Sequence, residues 1–514
     1  LDWTAGYRTD IDYTFGYYRE LAPGQLDFAL LLAGFEPPQR TGLRYLELGY
    51  GQGVSAAIHA AASPGEYWGA DFNPSHAAHA QGLVRASGAA AELTDEGFAE
   101  MLARDDLPPM DYIVMHGIWS WISDETRRTL VETFRKRLRV GGGLFFSYNT
   151  YPGWTANVPL RHLIATHAQH VGSDAQGPLA RDSAALAFGA QLAATGARFF
   201  DANPHAKVQL EAIGGQDSHY VAHEYFNGIQ SPMYFSEADR WLSDAKLSYA
   251  CAASPLDQID VFNLTAAQSE LLGAMGEGVM RETVRDYMLN RSFRRDLFTR
   301  GARRLSPLER RTRLHATRIV LTIRPDDAPT SVQGGAGEAT LRTAIYQPII
   351  DALAASEAPV TLGALAADPK LAALPPGALI EAVAVLIGQG SAHPANSDAA
   401  IAAAEPRTAR LNAYLTDRAR MSGEINHLAS PVTGGGVTVG RFEQMFLSAR
   451  FRGLKTPAAW AKDAWEAFSE QNQGLAIDGE RLTTAEASIE RLTRMAKAMA
   501  DTRLPLLRRL KVAD

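Results

Sequence analysis
Residues 43–55 run Leu-Arg-Tyr-Leu-Glu-Leu-Gly-Tyr-Gly-Gln-Gly-Val-Ser, an apolar stretch that meets Glu47 and then Gly49, Gly51 and Gly53 at every second position. No other part of the chain restricts its fold as tightly. Glycine turns the backbone sharply and lets it approach a ligand with no Cβ in the way. The alanine-rich stretch from Ser55 to Ala61 reads as a helix, whose free N–H groups would point into the turn. Two nucleotide-like ligands suit such a turn. A dinucleotide lays its pyrophosphate there and asks for G-x-G-x-x-G spacing. S-adenosylmethionine carries no phosphate and takes a looser turn, in which an acidic residue precedes glycines two apart. Glu47 and the spacing favour the second ligand, and the turn alone leaves both open.

From residue 43 to residue 150 short apolar runs alternate with helical ones, which predicts an α/β fold with a mostly parallel sheet. The strands are expected at 43–48, 66–70, 89–93, 111–116 and 143–148, and the helices at 54–62, 74–87, 96–103 and 124–138. Ligands of such sheets bind beyond the carboxyl ends of the strands, so the residues just past each strand carry the functional reading. Asp71 and Phe72 follow the second strand. A carboxylate there can accept hydrogen bonds from two ribose hydroxyls, and NAD proteins also place an acid near this position. Asp95, Glu96 and Phe98 follow the third, suited to an adenine amino group and face. His116 and Gly117 follow the fourth, with Trp119 and Trp121 next. Tyr148 and Asn149 close the fifth, in a polar, aromatic turn where an acceptor would approach. Singly, each of these also reads as a helix cap or surface turn.

Together they make residues 10–155 resemble the class I S-adenosylmethionine-dependent methyltransferases, whose fold is Rossmann-like. The matching motifs are Glu47 to Gly53, Asp71, and the strand Asp111 to His116. The resemblance implies that Glu47, Gly49, Tyr50, Gly51 and Gly53 hold the methionine and ribose parts and that Asp71 holds the ribose hydroxyls. It places Asp95, with Glu96 and Phe98, at the adenine, and has His116 and Gly117 border the sulfonium. Phe72 and Tyr17 join this cofactor set. Residues 216–305 resemble the methyltransferase regulatory region that accompanies rickettsial-type outer-membrane-protein lysine methyltransferases. The runs Tyr148 to Trp154 and His223 to Asn227 carry most of that likeness. It implies protein lysine methylation, a dimerisation element, a middle domain and a C-terminal domain. Tyr148, Asn149 and Trp119 are the expected catalytic set, with Trp121, Trp154, Tyr17 and Tyr18 as further aromatic walls.

The rest of the chain is read more coarsely. The aromatic start (Trp3, Tyr7, Tyr13, Phe15, Tyr17, Tyr18) is either an N-terminal helix packed on the body or a lid over the cofactor. An amphipathic helix is expected from Leu26 to Phe35. The methyltransferase core is taken as residues 1–155 and a helical insertion, possible as a dimerisation element, as 156–213. A middle region, 214–324, supplies two last strands at 247–252 and 296–300. Ten arginines against two acids between 291 and 318 read as a solvated or salt-bridged face rather than a nucleic-acid site. Residues 325–340 read as a linker. A winged-helix-like unit is expected at 336–405, where two cations face seven acids, which favours protein docking over DNA. An α-rich unit, 406–514, ends the chain.

The net charge of −7 gives no general reason to expect nucleic acid. A single cysteine, Cys251, rules out an internal disulfide and fits a cytoplasmic protein. No apolar run reaches the roughly 20 residues of a membrane span. The chain starts at Leu1, and a leader before it stays open. His162, His167 and His170 lack the carboxylate or thiol pattern of a metal site, so no metal is expected. No histidine–carboxylate pair stands at a strand end, which disfavours O-methylation. The expected function is methylation of protein lysines. The alternatives are a small-molecule methyltransferase and a cofactor-sensing regulator.

Overall fold
The computed structural model describes residues 7–11, 13–172, 177–471, 474–477, 480–482 and 484–513. Trp3 lies outside them. Seven strands form one sheet: β1 (Arg44–Leu48), β2 (Glu66–Ala70), β3 (Ala91–Thr94), β4 (Met110–Met115), β5 (Leu138–Asn149), β6 (Ser248–Ala252) and β7 (Phe293–Thr299). Their order across the sheet is β3-β2-β1-β4-β5-β7-β6. The first five pair in parallel, and β7 runs antiparallel to both β5 and β6. The two late strands therefore complete the sheet, and β7 begins three residues before the expected start.

Period-two alternation sorts the side chains. Leu46, Leu48, Ile113, Met115, Leu144, Phe146 and Tyr148 enter one core cluster, and Tyr45, Tyr112, Val114, Phe145 and Leu297 enter the other. The helices α1 (Pro23–Leu32), α2 (Val54–Ala62), α3 (Pro74–Ser87), α4 (Phe98–Ala103) and α5 (Asp124–Arg137) cover the two faces. α1 is not the amphipathic helix expected at 26–35. Leu26, Ala29 and Leu30 pack on the sheet while Phe28 and Leu31 pack on the unit built around residues 314–392, so both sides are buried. Asp27 within it is satisfied by the Tyr112 hydroxyl at 2.6 Å and by Arg40 at 2.5 Å.

After β5 come α6 (Asn157–His170), α7 (Pro178–Ala194), α8 (Arg198–Ala202), α9 (Pro204–Ile213), α10 (Ser218–Tyr225) and α11 (Phe235–Ser243). The first five of these share a core with Trp154. The stretch read as a linker is instead ordered: Ser331–Gly334 and Gly337–Thr340 pair as an antiparallel hairpin. A Cβ on Gly334 would lie 2.0 Å from the Phe262 carbonyl oxygen, so the hairpin is seated tightly. The helices Thr343–Ala354, Leu362–Ala367 and Pro376–Gln389 follow, backed by a three-stranded sheet whose central strand is Arg318–Leu321. That unit therefore draws in residues ahead of 336. The last unit packs Leu411, Leu415, Leu428 and Phe446 against Val54, Ile58 and Leu83, so α2 is held between the sheet and the C-terminal helices. No helix among the described residues is long and apolar enough to cross a membrane.

The arginine-rich stretch is a structural surface. Arg294 pairs with Glu282, Asp286 and Asp296, Arg295 with Glu20, Arg303 with Glu36 and Glu309, and Arg318 with Asp398. The Arg294 pairs and Arg303–Glu309 lie within the middle region, while Glu20, Glu36 and Asp398 tie it to its neighbours, as the salt-bridge reading expects.

Candidate functional site
The carboxyl ends of β1, β2, β4 and β5 converge on one chamber. At its floor the three glycines of the turn are all left-handed, with φ of +71°, +57° and +70° at Gly49, Gly51 and Gly53. This conformation is costly for any residue with a Cβ. Two of the glycines are also needed for close approach. A Cβ on Gly49 would come 2.4 Å from Ile118, and one on Gly53 2.4 Å from Ala80. Gly51 meets only Tyr13, at 3.6 Å, so its outer face looks into the chamber. Asp71 clamps the turn: Gly51 N–H donates to its Oδ2 at 2.8 Å, and Asn73 N–H donates to its Oδ1 at 3.1 Å. His76 Nδ1 lies 3.2 Å from the same Oδ1.

Glu47 is buried at the end of β1 on the face opposite Leu46 and Leu48. Burial pushes its carboxyl up to about 8, and its Oε2 has no hydrogen-bond partner among the described residues. A buried carboxylate with an orphan oxygen is an open demand for a cation or donor. Across β4, Gly117 is left-handed and a Cβ there would touch nothing within 4 Å, so its surroundings are open. Its N–H donates to Ser147 Oγ at 2.8 Å, and His116 Nδ1 lies 3.1 Å from that hydroxyl. Burial holds His116 down to about 4, a neutral imidazole at pH 7.

The described part of the aromatic start, 7–11 and 13–18, is extended, not helical, and crosses this chamber as a strap. Tyr18 N–H donates to Ser55 Oγ at 2.8 Å, and its ring lies 4.2 Å from that of His116. The Tyr13 and Tyr18 hydroxyls share a hydrogen bond. Tyr7 stacks on His223 and meets Phe72 edge-on at 5.8 Å, above Asp71. Tyr17, expected at the cofactor, turns the other way. Its hydroxyl accepts from Gly436 N–H at 2.6 Å and lies 3.2 Å from His59 Nε2. It is a plug in the C-terminal unit.

Several expected site residues are redirected by burial and strand parity. Tyr148 shares the face of Leu144 and Phe146, so its ring enters the core, and its hydroxyl donates to Asp296 Oδ2 at 3.2 Å. Trp119 is 0% exposed, with its indole N–H on Met233 Sδ at 3.1 Å and its ring edges on Phe146 and Trp241. Both rings are therefore placed in the core rather than among the tyrosines of the strap. The Tyr50 ring is likewise buried, its hydroxyl donating to the Thr94 carbonyl at 2.7 Å. It props the turn against β3. Trp154 stacks on Tyr225 in the helical core. At the third strand end Asp95 is exposed. Glu96 accepts from Thr94 Oγ1 at 2.7 Å and pairs with Arg104, while Phe98 packs partly on the sheet core.

Asn149 has the opposite parity to Tyr148 and reaches the chamber. Its backbone is fixed on both sides, N–H donating to Ser120 Oγ at 2.8 Å and carbonyl accepting from Met233 N–H at 3.2 Å. Its side-chain Nδ2 donates to Glu224 Oε1 at 3.4 Å. Glu224, on α10, was not among the residues expected from the sequence, nor were Tyr220 beside it and Arg161 on α6. Burial pushes the Glu224 carboxyl up to about 7, with Asn149 and Arg161 drawing it partly back. The only sequence sign of it was its place in the His223-to-Asn227 run.

Residues 217–300, which contain Glu224, match the family described as "Predicted methyltransferase regulatory domain". The uncharacterized protein sll1526 of Synechocystis sp. is 34% identical over 516 residues and spans all of both chains. The uncharacterized protein RP789 of Rickettsia prowazekii is 24% identical over 298 residues, covering 56% of this chain and 51% of that one. Among solved structures, PKMT2 from Rickettsia typhi in complex with AdoHcy superposes with a TM-score of 0.72. It is 20% identical, over 98% of this chain and 100% of that one. The chain belongs to the same family as sll1526, and it carries a class I S-adenosylmethionine-dependent methyltransferase fold with a methyltransferase regulatory domain.

Proposed function
We propose that the protein transfers a methyl group from S-adenosylmethionine to lysine side chains of proteins. The observation that carries this reading is the left-handed glycine turn clamped by Asp71, facing a chamber walled by tyrosines. The residues fit the cofactor. The open faces of Gly51 and Gly117 leave room, Asp71 suits ribose hydroxyls, and the orphan oxygen of Glu47 suits the cofactor's ammonium group. PKMT2, the solved structure of matching fold, holds AdoHcy, which supports the same ligand here. When bound, the sulfonium supplies an activated methyl group. The protein must align the acceptor and strip its proton. Aromatic walls disfavour a charged amine by desolvation and steady a methylated ammonium by cation–π contact. The same reading takes the helical insertion as a dimerisation element, on which Val171 and Val208 stand exposed. It gives the acidic, winged-helix-like unit a protein-docking role.

Mass spectrometry of a deletion strain against its parent tests the acceptor: methyl-lysines present only in the parent are expected. Tritium from labelled cofactor should enter lysate protein, and label confined to small molecules would sink the reading. Two further results are expected. At pH 7 Glu47, with a carboxyl at about 8, is mostly protonated. An ammonium beside it favours the carboxylate, so AdoHcy binding should release most of one proton. Calorimetry in buffers of different ionisation enthalpy reads that number, and Glu47→Gln should abolish it. Tyr148→Phe removes one hydroxyl from Asp296, which keeps Arg294 Nε at 2.7 Å. It should cost about 1 kcal/mol of stability and leave turnover within twofold; a tenfold loss of turnover would return Tyr148 to the chemistry.

A further inference from the structure
Glu224 lies among the tyrosines of the strap and of its own helix. Asn149 Nδ2, at the end of β5, donates to it at 3.4 Å. Charged and titratable groups face it from every side. Arg161 comes from α6, Tyr220 and Tyr225 from its own helix, and Tyr7, Tyr13 and Tyr18 from the strap. Among the described residues Arg161 makes no ion pair with it within 4.0 Å; its guanidinium instead bonds the Asn227 carbonyl. The carboxyl therefore accepts from one amide and has Arg161 near it as a charge that is not ion-paired with it. Tyr18, one wall of this chamber, also packs on His116 at the sulfonium side, and Tyr13 packs on Gly51.

We propose that Glu224 is the catalytic residue that binds the acceptor as an ammonium ion and takes its proton. This assignment rests on the lysine reading above. A lone carboxylate among aromatic rings selects an amine over a neutral hydroxyl or thiol, because only the ammonium neutralises its charge on entry. The N–H proton passes to a Glu224 oxygen, and Asn149 holds the carboxyl in place. The freed lone pair forms the new N–C bond to the methyl carbon as the C–S bond breaks. The breaking pair goes to sulfur, leaving AdoHcy a neutral thioether. The positive charge passes to nitrogen as methylammonium, and Glu224 returns its proton to solvent before the next turnover. Its carboxyl, held by burial at about 7 in the free protein, is poised for proton exchange near neutral pH.

The test uses the full chain, tritiated S-adenosylmethionine and protein extract from the deletion strain, with n-butylamine as a side-chain probe. Glu224→Gln should lose at least a hundredfold in label transfer at pH 7 and should lose the pH dependence of transfer between pH 6 and 8. Its AdoHcy affinity should stay within twofold of the parent's. Glu224→Asp should recover part of the rate. n-Butylamine should bind the parent's AdoHcy complex and not that of Glu224→Gln. Transfer by Glu224→Gln at the parent's rate, or an unaltered pH profile, overturns the assignment and leaves lysine methylation standing. A parent that binds AdoHcy and labels no lysine overturns the lysine reading, and this assignment with it.

Discussion

Asp71→Ala is expected to weaken AdoHcy binding by more than a hundredfold, about 2.7 kcal/mol at 25 °C. Two losses coincide. On the proposed reading the ribose hydroxyls lose their acceptor, and the Gly51 N–H loses the carboxylate that holds it at 2.8 Å. An unpaired donor in such a site costs about 1–3 kcal/mol. The second loss matters because all three glycines of the turn are left-handed. Such a turn has wide conformational freedom once untied, and the entropy of re-forming it falls on the ligand. Asp71 also ties the start of α3 through Asn73 and His76, so a melting curve must accompany the titration. Asp71→Asn, which keeps the shape and one acceptor oxygen, should fall between parent and alanine variant. A folded Asp71→Ala protein with AdoHcy affinity within threefold of the parent would remove Asp71 from the site.

The sheet was legible because its strands are short apolar runs between clear punctuation. Five of the seven lie within two residues of expectation at both ends; β7 starts three residues earlier, and β5 extends further back, to Leu138. The turn was legible because glycine spacing directly reports backbone shape. Side-chain direction was less so, although the signal existed. Leu144, Phe146 and Tyr148 form one period-two face, and a one-residue change of parity moves a side chain to the other side of the sheet. That parity sends Tyr148 into the core and Asn149 into the chamber. The strap carried the same signal: Tyr13, Phe15 and Tyr17 alternate with Thr14 and Gly16, an extended pattern rather than a helical one. Two features had no local signal at all. Asn149 and Glu224 meet across 75 positions, and Tyr17 and Gly436 across 419. Only the packing of α10 on the sheet end, and of the C-terminal unit on α2, brings those pairs together.

The Tyr17 contact ties the strap to the C-terminal unit, and Gly436→Val tests whether that tie reaches the cofactor site. The hairpin His427–Ser430 and Gly435–Thr438 forms a socket that only glycine leaves empty. A Cβ on Gly436 would lie 2.8 Å from the Tyr17 ring, and one on Gly435 2.6 Å from its hydroxyl. His427 closes the socket with its ring 4.6 Å away. Tyr18 and Tyr13, on the same strap, cover His116 and Gly51. Arg19 anchors the next position on the Gly388 carbonyl of the preceding unit. Valine at 436 should therefore expel Tyr17, loosen the strap and raise the KM for S-adenosylmethionine at least tenfold. AdoHcy should dissociate correspondingly faster, with the far-ultraviolet circular dichroism unchanged. Tyr17→Ala removes the plug without a clash and should act in the same direction. Tyr17→Phe keeps the ring and loses only the hydroxyl's partners, so its effect should be a fewfold at most. If both Gly436→Val and Tyr17→Ala leave KM and AdoHcy release unchanged, the strap is a passive tie between units. If both raise them, the C-terminal unit controls how tightly the cofactor is held.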